Sequence, residues 1–254
     1  MHFSIMQLLL LFPFGILAGI VSSTVGMASL VSYPALLYIA GLPPVYANVT
    51  NSSSVIFNGI GSGLSSIPEL KGHVKQLVTT SVCIFLGSIL GTYLLLHFSS
   101  ASFPKLVPFF ILFAAITMVW PKKNKGAAEN ESVGKFGQAL YAIATVLTGA
   151  YVGYFGAASG IIVNAILSKI TDEKYAVYNA IRNVSTFGGN LVAMVIFAFQ
   201  SHIYWILVLP LGSGLLIGSY IGPKIVRVVP EKIIKWIVAI LAFGLAVELF
   251  IQAY

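Results

Sequence analysis

Asn51, Ser54 and Asn58 recur 132 residues later as Asn183, Thr186 and Asn190. Each trio has the spacing N-x-x-[S/T]-x-x-x-N, and steps of three and four put its side chains on one face of a helix. Amides and hydroxyls in apolar surroundings offer hydrogen bonds either to a polar solute or to a neighbouring helix. Interhelical bonds of the second kind are worth about 0.6 kcal/mol on average. The recurrence of the stripe in both halves favours a central polar site, and transporters are commonly built that way.

Arg182 directly precedes the second stripe, about two turns into its helix. A charge at the bilayer centre costs at least roughly 2.5–3.5 kcal/mol. Two readings of it stay open. The guanidinium fork can face a polar cavity and bind two oxygens of an anion, or it can snorkel to the membrane surface. Thr50 is its counterpart in the first half, so the repeat loses its symmetry at this charge.

An anion site in a membrane needs hydrogen-bond donors, positive potential and little water. Helix N-termini supply free N–H groups with partial positive charge. Two Gly/Ser turns, Gly26–Ser29 (STVGMAS) and Gly156–Gly160 (YFGAASG), are candidates for such ends. Small residues there let backbone approach a ligand. The expected substrate-binding set is therefore Gly26, Ser29, Asn51, Ser54 and Asn58 from the first half, with Gly156, Ser159, Arg182, Asn183, Thr186 and Asn190 from the second. Glu69 and His73 read better as solvated loop residues than as gating groups, and Glu248 better as an interfacial carboxylate than as a proton-coupling group.

The elements that must position these residues are membrane helices. Hydrophobic residues make up 58% of the 254 and charged ones only 8%, with mean hydropathy +0.95. A soluble domain carries about 25% charged residues. Apolar runs fill 5–24, 26–40, 45–66, 75–98, 104–120, 137–155, 157–169, 176–199, 203–223 and 233–252. The alternating short strands of a β-barrel are absent. No basic residue precedes the first run, so a retained first helix is expected rather than a cleaved signal. The runs at 26–40 and 157–169 are short for a full crossing and follow Gly-rich breaks. They are expected to be tilted, half-spanning or re-entrant, and the count is eight to ten crossings. Broken helices are tolerated only where they line a cavity or protein interior.

Residues 121–136 form the one long polar stretch and read as a linker between a first membrane repeat, 1–120, and a second, 137–254. Gly19, Gly26, Ala28 and Ser29 align with Gly149, Gly156, Ala158 and Ser159; Gly87 and Gly91 align with Gly214 and Gly218. Those last two Gly-xxx-Gly pairs read as close helix packing. Lys71, Lys75, Lys122, Lys123, Lys125, Lys135, Lys169, Lys174, Lys224, Arg227, Lys232 and Lys235 make 12 of the 14 basic residues. An odd number of crossings per half puts them all on the cytoplasmic side, while an even number scatters them. The expected architecture is thus an all-α multi-pass cell-membrane protein of two inverted repeats, with a cytoplasmic linker and both termini outside.

The net charge of +7 is spent in these loops and does not point to nucleic acid. Cys83, the single cysteine, has no second thiol for a disulfide or metal site. Neither H-E-x-x-H nor an intramembrane-protease G-x-S-G motif occurs, so no enzyme, metal or cofactor is expected. There is no Walker motif, which leaves proton or sodium coupling.

The chain resembles the TauE/SafE group of sulfite-exporter-like permeases. The matching features are GILAGIVSSTVGMASLVSYPALLYIAGLPPVYANVT, the KGHV loop and the Gly87-xxx-Gly91 helix. Within them stand a Gly turn at Gly26, Pro34, the pair Pro43–Pro44 and an A-x-x-T helix start at Ala47 and Thr50. The family turn is usually a longer glycine run, and the second half has Ala-Ile-Arg-Asn at the A-x-x-T position. The resemblance implies a permease for sulfite, a sulfonate or a related sulfur-containing anion. The expected function is a secondary transporter of a small anion working by alternating access at a midplane site. A passive anion channel, or a transporter of a different small metabolite, is the alternative. The partners are then the anion and the lipid bilayer; oligomeric state is not encoded legibly.

Overall fold

The computed structural model describes residues 3–97, 135–157, 159–171 and 173–230, with scattered positions 109, 112, 233, 236, 240, 243, 244, 246, 247, 250 and 251. The linker body at 121–134, most of the apolar run at 104–120, Lys105 and Glu248 lie outside the described residues.

Among the described residues the chain is helical without strands. Helix α1 (Ile5–Val25) opens with a capping box: Gln7 N–H donates to Ser4 Oγ at 3.2 Å, and Ser4 N–H donates to Gln7 Oε1 at 2.8 Å. It ends at Gly26, whose φ of +89° is a left-handed conformation that glycine adopts without a Cβ penalty. A short helix, α2 (Ser29–Pro34), follows and widens into a π turn over Ala35–Ile39. Pro34, which has no N–H to give the ladder, stands at that junction. Helix α3 (Pro44–Ser65) starts on Pro44, where the missing N–H costs nothing. A single turn, α4 (Ile67–Leu70), leads to α5 (Val74–His97).

The second half runs α6 (Lys135–Tyr154), a break at Gly156 with φ +70°, α7 (Ser159–Ile170), α8 (Tyr175–Gln200) and α9 (Trp205–Val226). The described positions between 233 and 251 are also helical. Both short runs singled out in the sequence are therefore short helices set behind a glycine break. At a rise of 1.5 Å per residue neither can cross a hydrocarbon core of about 30 Å.

The halves interlock rather than sit side by side. Helix α1 packs on α9, and α5 on α6; α3 lies against α9 and α8, and α8 also against α5. Small residues carry both outer pairs. A Cβ at Gly19 would fall 2.7 Å from Ser219 N, and one at Gly149 would fall 2.8 Å from Ile84 Cα. Gly87 and Gly91 meet the α6 backbone, while Gly214 and Gly218 meet that of α1, which is the close packing their spacing implies.

Among the described residues four helices are long and apolar enough to cross a membrane by themselves: α1, α5, α8 and α9. The outward faces of α1, α5 and α9 expose large apolar side chains such as Leu9, Leu86 and Leu209. Inside, by contrast, Asn48, Thr50, Asn51, Ser54, Arg182, Asn183 and Ser185 are buried. A polar interior with an apolar exterior suits lipid as solvent, because the protein itself must satisfy every inward polar group.

Candidate functional site

The site begins with a helix end that needs partners. Terminating α1 inside the fold frees its last carbonyls from the helical ladder. One face of α8 answers them. Arg182 Nη1 donates to the Ser22 carbonyl at 2.7 Å, which also takes the Gly26 N–H, Asn179 Nδ2 donates to the free carbonyl of Ser23 at 2.8 Å, and Asn183 Nδ2 to the same oxygen at 3.1 Å. Tyr175 Oη donates to the Thr24 carbonyl at 2.6 Å. Positions 175, 179, 182 and 183 follow the helical period, so a single α8 face caps the end of α1.

The first half has a matching but lighter arrangement. Asn51 of α3 receives a hydrogen bond from Ser32 Oγ at 2.5 Å and donates to Ser29 Oγ at 3.0 Å, which ties α3 to the short helix α2. Asn48 Nδ2 donates to the Tyr154 carbonyl, at the end of α6, at 3.0 Å. Behind that end, Ser159 Oγ turns back to the Gly156 carbonyl at 2.8 Å.

The two breaks cross each other. A Cβ at Gly26 would lie 2.6 Å from Gly160 Cα and 2.8 Å from Arg182 Nη1. Backbone thus meets backbone with the guanidinium alongside. Arg182 is 2% exposed and does not snorkel to a surface. Depth alone permitted snorkelling; the capped carbonyl of Ser22 holds the side chain inward instead. Nη2 donates to Asn179 Oδ1, and Nε is buried without a partner. Among the described residues no carboxylate meets this charge. The ion pair of Arg227 with Glu69, at 2.7 Å, and the approach of His73 Nε2 to Glu173 at 3.8 Å both lie on the face formed by the ends of α3, α7 and α9.

A cavity opens beside Arg182. It leaves about 30 Å³ in which the centre of a water-sized group can move, more than the roughly 10–15 Å³ that one water needs. Gly26, Ser29, Asn51 and Asn58 line it from the first half, and Gly156, Ser159, Arg182, Thr186 and Asn190 from the second. Asn58 brings a buried Oδ1 that has no protein partner. The arrangement suits a compact polar or anionic solute: one uncompensated cation, several amides and hydroxyls, and almost no room.

Ser54 and Asn183 do not line the cavity. Ser54 Oγ is spent on the Thr50 carbonyl at 2.9 Å. Asn183 caps α1 and leaves its own buried Oδ1 unpartnered. The wall instead adds Ser52 and Val55 beside Asn51, and Ser22, Phe155 and Gly160 from the breaks. Gly160 belongs to the second glycine turn, which was the available signal for it, whereas Ser22 lies in the last turn of α1 just before the first. Glu69, read from the sequence as a solvated loop residue, is instead a bidentate partner of Arg227, whose Nε and Nη2 donate to it at 2.8 and 3.0 Å. Among the described residues no cluster of three His, Cys, Asp or Glu side chains is placed to hold a metal ion.

Comparison with known proteins adds to this geometry. A family model described as "Sulfite exporter TauE/SafE" matches residues 11–249. A "Probable membrane transporter protein" of Haemophilus influenzae is 24% identical over 250 residues, covering 98% of this chain and 96% of the relative. "Probable membrane transporter protein ORF9" of a Sinorhizobium species is 29% identical, covering 94% and 90%. "Probable membrane transporter protein YfcA" of Escherichia coli K12 is 22% identical, covering 96% and 90%. No solved structure gives a significant match.

Proposed function

Because this chain belongs to the sulfite exporter TauE/SafE family and is a multi-pass membrane transporter, we propose that it moves a small anion, sulfite or a related sulfur oxyanion, by alternating access at the cavity beside Arg182. One observation carries the anion: a guanidinium 2% exposed, with no carboxylate against it among the described residues and its Nε unpartnered. A buried charge left without a counter-ion is expensive, and an anionic solute entering the cavity removes that cost.

The mechanism follows from the interlocked halves. The α1–α9 and α6–α5 pairs correspond under the sequence repeat, as do α3–α9 and α8–α5. That exchange of partners supports two repeats of inverted topology rocking about α3 and α8. The two glycine breaks meet at the centre of this arrangement, Gly26 against Gly160. Lys71, Lys75, Lys174, Lys224 and Arg227 mark the cytoplasmic face in this reading, with the linker cytoplasmic and the termini outside. Proton or sodium coupling supplies the driving force.

The test is radiolabelled sulfite uptake into proteoliposomes with imposed proton or sodium gradients. Accumulation above equilibrium is the expected result, and flux that only dissipates a gradient marks a passive pore. Arg182→Lys keeps the charge but cannot reach both Ser22 and Asn179 with a planar fork. It should raise KM by roughly tenfold, the scale of a lost charge-assisted hydrogen bond. Arg182→Met should abolish saturable uptake. Wild-type uptake in Arg182→Met would overturn the site.

A further inference from the structure

The charge of this cavity depends on a residue that does not line it. A buried arginine ordinarily meets a carboxylate. Here the three guanidinium nitrogens meet only neutral acceptors or none. Nη1 donates to the Ser22 carbonyl at 2.7 Å, Nη2 donates to Asn179 Oδ1, and Nε has no protein partner. Asn179 lies one turn before Arg182 on α8 and is 2% exposed. Its amide orientation is settled by chemistry. On one side the Ser23 carbonyl, at 2.8 Å, accepts only a donor and so takes Nδ2. Oδ1 then faces the guanidinium, where Asn164 Nδ2 also approaches it at 3.4 Å. An aspartate has nearly the same shape and would pair with Arg182 more strongly. It would also cancel the only charge that the described residues bring to the cavity.

The geometry points to Asn179 as the positioning residue that sets charge selectivity: its neutral amide holds Arg182 in place while leaving the site cationic. This rests on the anion-site reading above. Asn179 therefore determines two separable properties, the direction of the guanidinium and the net charge seen by the solute. Asn179→Ala removes the first and keeps the second. Asn179→Asp keeps an acceptor for Nη2 and removes the second, although it also gives up the Nδ2 donor to the Ser23 carbonyl, a loss it shares with Asn179→Ala.

Two readouts in proteoliposomes test the assignment. Radiolabelled sulfite uptake should show KM raised about fivefold in Asn179→Ala with Vmax within twofold, and raised about 100-fold or more in Asn179→Asp, as expected when one charge governs a buried site. The second readout does not use sulfite. In a Cys83→Ser, Ser52→Cys background, the rates of modification by an anionic sulfonatoethyl and a cationic trimethylammonioethyl methanethiosulfonate are compared, each relative to a free thiol. With Asn179 present the anionic reagent should be favoured by about tenfold or more, the usual scale of focusing in a charged cleft. Asn179→Asp should bring the ratio to about one, as Arg182→Gln should, while Asn179→Ala should keep the anionic preference. An unchanged ratio in Asn179→Asp overturns the charge assignment whatever the flux. An unchanged KM in Asn179→Ala overturns the positioning role. A ratio that collapses in Asn179→Asp upholds the assignment even where the wild type takes up no sulfite, in which case the substrate reading alone falls.

Discussion

Three glycine-to-alanine substitutions separate the two costs stored where the helix breaks cross. Gly41 has φ +66° and open space around its missing Cβ, so Gly41→Ala meets conformational strain alone. A left-handed non-glycine residue costs roughly 1–2 kcal/mol. Gly160 lies in the first turn of α7, and a Cβ there would sit 2.5 Å from Gly26 Cα and 3.0 Å from Arg182 Nη1. Carbon atoms pack comfortably at about 3.5–4.0 Å. The two breaks must then part by about 1 Å, an overpacking cost of roughly 1–3 kcal/mol. Gly26 carries both burdens, with φ +89° and a Cβ 2.6 Å from Gly160 Cα. Gly26→Ala should therefore lose roughly 2–5 kcal/mol, the sum of the two costs.

The assay is unfolding in detergent, paired with uptake by the folded fraction. The difference between Gly26→Ala and Gly41→Ala isolates crowding. Gly160→Ala should depress uptake because parting the breaks carries Arg182 with it, whereas Gly41→Ala should leave uptake near wild type. The double variant Gly26→Ala, Gly160→Ala should fall short of additivity, since one displacement makes room for both methyl groups. Gly26→Ala no less stable than Gly41→Ala would refute the close crossing.

The polar stripes and the ion pair at the Lys71 face give further predictions. Ser54→Ala should leave sulfite uptake within about twofold of wild type, because its hydroxyl only turns back on α3. Asn51→Ala, which cuts α3 from Ser29 and Ser32 of α2, should lower uptake at least about tenfold; similar effects of the two changes would contradict the placement of the cavity wall. At the other end, Glu69 is 14% and Arg227 38% exposed in their side chains, and their contact is bidentate. A Glu69→Gln, Arg227→Gln double-mutant cycle on stability should give a coupling of about 1 kcal/mol at low salt. The coupling should shrink at about 1 M salt, where screening acts within roughly 3 Å. Zero coupling at low salt would remove this pair as a tie between the halves.

The sequence made the helices and their breaks legible for a simple reason. Lipid demands long apolar runs, and glycine at 26 and 156 marks where the backbone leaves the helix. The stripes were legible in spacing but not in phase. Spacing tells which side chains share a helix face; it does not tell which line on the helix points at the cavity. That is why Ser54 and Asn183 fall beside the wall while Ser52 joins it and Arg182, left open between two readings, lies in it. Arg182 could not be oriented from its own surroundings. Its direction is set by the Ser22 carbonyl, 160 residues earlier in the chain. The Glu69–Arg227 pair spans a similar gap of 158 residues, and nothing local to Glu69 announced it.

The lost symmetry at position 182 has a physical logic on the proposed duplication. Thr50, its counterpart, is fully buried and accepts from the Tyr204 N–H at 3.4 Å rather than facing the cavity wall. The caps are unequal as well. Four side chains of α8 hold the end of α1, while Asn48 of α3 reaches the end of α6 at the Tyr154 carbonyl. A second arginine at the cavity wall would set two buried guanidiniums about one small space. Their repulsion in a poorly screened interior would demand a multivalent partner or two anions at once. On the proposed anion site, one charge held by the end of α1 instead fits a single small anion. On the proposed rocking, Arg182 would stay with the end of α1 through its bond to the Ser22 carbonyl.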